Sequence, residues 1–199
     1  IPMSSIFDTL QIAFWSLTYV TIIACGFKHS EERKPMMPYV AGGLNLAWEL
    51  NALLLYHHYG HIIWSGLDIM IFVLNLRNLK RHEKHRQYIY IYIYILYVTV
   101  AAATIYGVFK LPSGMLISSY TLDLIMAIEY VVCAKEISVH GKLPIAIFKL
   151  LGDLFAWLFY CKQSIFVGIV GAVVLLLNLF YLAYCMEERS YPAKRKGGR

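Results

Sequence analysis

Apolar runs of about twenty residues recur along the whole chain, with little more than short, charged connections between them. A helix of that length rises far enough to cross the roughly 30 Å hydrocarbon core of a bilayer. Inside hydrocarbon no water is present to satisfy backbone N–H and C=O groups, so only helices and closed barrels can span. Seven segments are predicted on this ground, at roughly 6–26, 38–57, 61–77, 87–109, 114–134, 143–161 and 164–186. The expected fold is an all-α, polytopic seven-transmembrane-helix bundle, one domain over residues 1–199. Pro35, Pro38, Pro112 and Pro144 fall at segment ends, where helix boundaries tolerate them.

One stretch argues locally for a different structure. Tyr88-Ile-Tyr-Ile-Tyr-Ile-Tyr-Ile95 alternates with the period of a strand. It also opens an apolar run of more than twenty residues, and the backbone requirement in lipid outweighs the alternation. A helix is expected here, its first tyrosines in the interfacial belt. Nothing before Phe7 reads as the basic start of a cleavable signal, so the first run is expected to remain as a helix.

The formal net charge of +6 could suggest nucleic acid, but its distribution excludes that partner. Basic residues cluster in Phe27–Met37, Arg77–Arg86, Lys135–Lys142 and the C-terminal tail, all on one side of a seven-span topology. Only Lys110 and Lys162 fall on the other side. The positive-inside rule then expects an extracellular or lumenal N-terminus and a cytosolic C-terminus, in bacterial plasma membrane or endoplasmic reticulum. Cys25, Cys133, Cys161 and Cys185 show no ligand spacing, and reduced structural thiols are expected.

Polar groups inside the spans carry the functional information. Glu49 lies in the middle of the second segment, where a carboxylate costs roughly 3 kcal/mol on insertion scales. Asn45, Trp48 and Asn51 surround it in sequence, and Asn45 shares its helix face at i, i+4. In the third segment Trp64 and Asp68 repeat that spacing. With the intervening turn centred near Tyr59, Glu49 and Asp68 are expected at the same depth. Two carboxyls sharing a low-dielectric site retain one proton between them, which would supply a Brønsted acid. A hydrogen-bonded helix clamp is the other reading of both.

The sixth segment carries Lys149 and Asp153 four apart, which fits an intrahelical ion pair as well as a place in a site. In the fifth, Asp123 is expected to face the bundle and Glu129 to join helices. Asn178 in the last segment reads as an interhelical hydrogen-bonding residue. Trp15, Trp48, Trp64 and Trp157 serve as core filler, or as π faces able to stabilise a cation. His57, His58 and His61 surround a glycine turn and are expected to be solvated rather than metal-bound. The chain contains no aspartate-rich magnesium–diphosphate run, no glycine-rich phosphate loop, and no zinc-protease or nucleophile-elbow pattern. Chemistry without metal, nucleotide or other cofactor is expected.

Four of these blocks together resemble the small seven-helix membrane terpene cyclases of meroterpenoid and indole-diterpene pathways. Asn45-Leu-Ala-Trp-Glu49 is similar to the family's Asn-x-Ala-Trp-Glu block, and Trp64-Ser-Gly-Leu-Asp68 to its Trp-x-x-Leu-Asp block. Gly141 to Ala156 is similar to a later loop-into-helix segment, and Asn178-Leu-Phe-Tyr181 falls where Asp-Leu-x-Tyr is common. The resemblance implies that Glu49 protonates an epoxide or alkene of a prenylated, lipophilic substrate entering from the bilayer. Asn45, Trp48, Trp64, Asp123, Asp153 and Trp157 are the candidate substrate-binding residues, and Glu49, Asp68 and Asn178 the candidate catalytic ones. Asn178 stands where a second acid is expected and Lys149 where an arginine is usual. Either the second-acid role passes to Asp68, preferred on depth, or to Asp153, or the chemistry differs from that of the typical member. The alternative is a small seven-helix transporter or binder of a vitamin-like or sugar-like solute, its buried carboxylates holding solute or a coupling proton. Weak internal similarity between segments 1–3 and 5–7 would favour the carrier, and none is evident.

Overall fold

The computed structural model describes residues 3–29, 34–57, 59–80 and 87–196. Expectations resting on His58, Arg33, Arg81, Lys84, Arg86 and Arg199, and on the side chains of Lys194 to Lys196, lie outside the described residues. Seven helices follow in chain order: α1 Met3–Lys28, α2 Tyr39–Tyr56, α3 Tyr59–Leu79, α4 Gln87–Phe109, α5 Gly114–Val132, α6 Lys142–Tyr160 and α7 Ile165–Lys196. The last runs well past the expected end at 186.

Six of these, all but α2, are long and apolar enough to cross a membrane, which fits a multi-pass protein in a lipid bilayer. The seven expected spans therefore resolve into seven helices of which six meet that requirement. The α2 helix has eighteen residues, and Asn45, Glu49 and Asn51 dilute its apolarity. It is instead wrapped by protein: the two adjacent glycines, Ala41, Leu46, Ala47, Trp48, Ala52 and all three polar residues are buried. Asn51 shows how such a residue is accommodated, its amide donating to the carbonyls of Ala47 and Ala102 at 2.8 and 2.9 Å.

The Tyr-Ile repeat is helical. Tyr94, Val98 and Ala101 of α4 are buried at helical spacing, while Tyr88, Ile89, Tyr92 and Ile93 face outward. The inward stripe lies on α2 where Gly42 and Gly43 leave room for the Tyr94 and Tyr97 rings. The turn from α4 into α5 depends on another glycine: a Cβ at Gly114 would collide with the backbone carbonyl of Val108.

The helices form a closed ring in the order α1, α6, α7, α5, α2, α3 and back to α1, with α4 outside against α2. One half of the ring is packed solid. Tyr19, Ile22, Ile71, Met126, Tyr130, Ile145 and Tyr181, from five helices, form one buried cluster there. The connections at that end tie together directly, with Ser138 N–H donating to the Pro35 carbonyl at 3.0 Å and Lys34 Nζ to that of Lys135 at 3.1 Å. All four cysteines are free. The Cys133 thiol, just past α5, is pushed up by partial burial, with Glu129 and Glu136 adding to it. The other half of the ring is hollow.

Candidate functional site

A cavity of about 620 Å³ occupies the hollow half. Its mouth is marked by Asp8, Gly60, Ser113 and Gln163, and its wall reaches down to Tyr19 and Asn45. Eleven residues of α1 separate Asp8 from Tyr19, a depth of about 16 Å at 1.5 Å per residue. Below that floor lies the packed cluster, which includes Tyr19 itself.

Glu49 is on the wall, from α2. Its Oε2 lies 2.9 Å from Nδ1 of His61, and both residues are at most 9 % exposed. His61 is where the sequence reading and the structure part. The α2–α3 connection is shorter than expected: His57 takes a left-handed conformation, caps α2 by donating its N–H to the Leu53 carbonyl, and α3 begins at Tyr59. This places His61 in the first turn of α3, inside the bundle rather than on a wet turn. Trp48 and Trp64 stand edge-on to its ring with centroids 5.8 and 6.2 Å away. Those two indoles are pinned in turn, Trp48 Nε1 donating to Ser118 Oγ at 3.0 Å and Trp64 Nε1 to Ser16 Oγ at 3.2 Å.

The same shortening changes the register of Asp68. It meets Asn45, one turn below Glu49, rather than Glu49 itself. Asn45 Nδ2 donates to both Asp68 oxygens, at 2.8 and 2.9 Å, and to the Tyr19 hydroxyl at 2.6 Å. Asp68 is 1 % exposed and stands behind Asn45, off the cavity wall. Asp123 of α5, by contrast, is on the wall.

A second polar group sits between α6 and α7. Lys149 Nζ donates to Asp153 Oδ2 at 2.6 Å and to Asn178 Oδ1 at 3.1 Å, while Asn178 Nδ2 donates to the same Asp153 oxygen at 2.6 Å. Lys149 is fully buried, and its ammonium lies 5.3 Å from the centre of the Trp15 indole. Trp15 lines the cavity; Asp153 and Asn178 do not. Trp157 is also off the wall, its Nε1 donating to the Gly168 carbonyl at 3.0 Å and fastening α6 to α7.

The structure thus brings Glu49, Asn45, Trp48, Trp64 and Asp123 to one cavity and leaves Asp68, Asp153, Trp157 and Asn178 outside its lining. It adds His61, Tyr19 and Trp15. The described lining contains three carboxylic residues, Asp8, Glu49 and Asp123, and no lysine or arginine. A wall of aromatic faces and carboxyls is suited to proton donation and to holding positive charge. Among the described residues no three His, Cys, Asp or Glu side chains converge as a metal site. No family model, curated protein or solved structure matches the chain.

Proposed function

We propose that the protein is a membrane-embedded, acid-initiated cyclase of a lipophilic prenylated compound. The observation that carries the reading is Glu49, paired with His61 and flanked by Trp48 and Trp64, on the wall of a cavity large enough for an isoprenoid chain. The proton of the Glu49 carboxyl passes to an alkene carbon or epoxide oxygen. The carboxylate left behind keeps its hydrogen bond to His61. Ring closure moves the carbocation past the indole and phenol faces, each worth about 0.5–2 kcal/mol to a nearby cation. Loss of a proton from carbon to the carboxylate of Asp123 ends the sequence. Return of that proton to Glu49 resets the site, so product and substrate have equal mass.

The packed half beneath the cavity supports a chamber rather than a conduit across the bundle. Basic residues at the end away from the mouth support a cytosolic location for that end, with the mouth lumenal or extracellular. The resemblance of the Asn45–Glu49 and Trp64–Asp68 blocks to membrane terpene cyclases supports the same chemistry.

The test is incubation of the purified protein, in nanodiscs, with a panel of prenylated phenols and their terminal epoxides, read by chromatography and mass. At least one should yield a new compound of unchanged mass. Glu49→Gln should lower its formation by about a hundredfold to ten-thousandfold, the range for loss of a general acid, with unfolding temperature little changed. Full turnover by Glu49→Gln would end the assignment.

A further inference from the structure

The floor of the cavity holds a hydrogen-bond donor that the protein itself leaves unused. Asn45 Nδ2 has two hydrogens and three acceptor atoms within reach. The Asp68 carboxyl shares one hydrogen between its two oxygens, and the other goes to the Tyr19 oxygen. Tyr19 is therefore an acceptor in this chain, and its single phenolic hydrogen has to point elsewhere. Among the described residues the Tyr19 hydroxyl takes part in one hydrogen bond, the one it accepts from Asn45. Yet Tyr19 is 4 % exposed, on the cavity wall, and fixed by the core cluster and by the Trp15 ring 5.7 Å away. A buried donor left unmet is costly, so a ligand that meets it binds preferentially.

Asp68 explains why the donor is so placed. Both Asp68 oxygens lie within hydrogen-bond reach of Asn45 Nδ2, and that pair of contacts holds the amide with its nitrogen toward Tyr19. That orientation is what turns the Tyr19 hydroxyl into an outward donor. We propose that Tyr19 anchors the ligand by donating to an acceptor oxygen, positioned by Asp68 through Asn45, and that the cavity selects neutral lipophiles bearing such an oxygen over hydrocarbons. The inference rests on the proposed function only for where a prenylated ligand sits. Its test reads binding, so a protein that binds without converting would refute cyclisation and leave the anchor standing.

Geranylacetone and the hydrocarbon in which its carbonyl is a methylene form a matched probe pair. Binding is followed by fluorescence of Trp15, Trp48 and Trp64, corrected for partition of each probe into the nanodisc. Wild-type protein should bind the ketone about tenfold more tightly, the upper range for one hydrogen bond. Tyr19→Phe should remove that preference and leave hydrocarbon affinity unchanged. The infrared carbonyl band of the bound ketone should sit at lower frequency in wild type and return in Tyr19→Phe. Equal affinities in wild type, or a band shift that survives in Tyr19→Phe, would overturn the proposal. So would loss of the preference in Glu49→Gln with its retention in Tyr19→Phe, because Glu49 would then be the donor. Should Tyr19→Phe fail to fold, an unshifted carbonyl band in wild type alone would still overturn it.

Discussion

Two buried polar networks lie within the ring, and they differ in whether they line the cavity. On the α1–α2–α3 side, Glu49 and His61 pair at the cavity wall while Asn45 donates to both Asp68 and the Tyr19 hydroxyl beside it. On the α6–α7 side, Lys149 and Asn178 both donate to one oxygen of Asp153, and the other oxygen, Oδ1, is buried without a partner among the described residues. Both networks are costly to bury. Only the first reaches the void. Burial of charge within a span therefore marks two kinds of place, and the presence of space beside the group separates them.

The largest expected effect tests the second network. Lys149→Met leaves Asp153 buried with one amide for a partner, and removing half of a buried ion pair costs about 3–5 kcal/mol. Chemical unfolding in detergent should show that loss. The triple change Lys149→Met, Asp153→Leu, Asn178→Leu removes the stranded groups together and should recover most of it. A Lys149→Met protein that keeps its stability but forms no product would break the comparison, since the α6–α7 network would then be part of the chemistry.

Paired glycine changes sharpen the contrast between cavity wall and outer packing. A Cβ at Gly152 would lie 2.8 Å from Cδ1 of Trp15, whose rigid indole has the cavity on its other side. A Cβ at Gly43 would lie 2.8 Å from Cε1 of Tyr97, on α4 outside the ring. Overpacking of either kind costs about 1–3 kcal/mol. Gly152→Ala should in addition push Trp15 into the cavity and depress turnover of bulky substrates more than small ones. Gly43→Ala should lower stability and leave relative turnover alone. Equal substrate profiles for the two variants would show that Trp15 does not shape the chamber.

What was legible from sequence, and what was not, follows from the range of each interaction. The helical fate of the Tyr-Ile repeat was legible because backbone satisfaction in lipid outweighs side-chain alternation. The pairing of Lys149 with Asp153 was legible because four residues on a helix place side chains on one face. Asn178 completes that pair from another helix, which no local pattern reveals. Asp68 lies a turn deeper than its sequence distance from Tyr59 implies, because the α2–α3 connection is shorter than the histidine and glycine run suggests. A single left-handed residue, His57, moved His61 from an expected wet loop to the side of Glu49. Three histidines near a turn, one of them the third residue of the next helix, were the available signal. Tyr19 carried none, since its role depends on which hydrogen of Asn45 goes where.

The smallest expected effect concerns Glu129, a carboxyl that resembles the site acids in sequence and differs from them in place. It lies near the end of α5 in the packed half and accepts a hydrogen bond from the backbone N–H of Ala41. Ala41 is in the first turn of α2, where N–H groups have no intrahelical partner and the helix dipole favours negative charge. The carboxyl is also near the C-terminus of its own helix, where the dipole opposes it, so the two helix ends partly cancel. Glu129→Gln keeps an acceptor oxygen for Ala41 and removes only the charge. Its cost should be about 0.3–1 kcal/mol, read as a small fall in unfolding midpoint with product formation unchanged. A turnover defect like that of Glu49→Gln, from a residue so far from the cavity floor, would mean that the packed half takes part in catalysis and that the void is not what distinguishes the two kinds of buried acid.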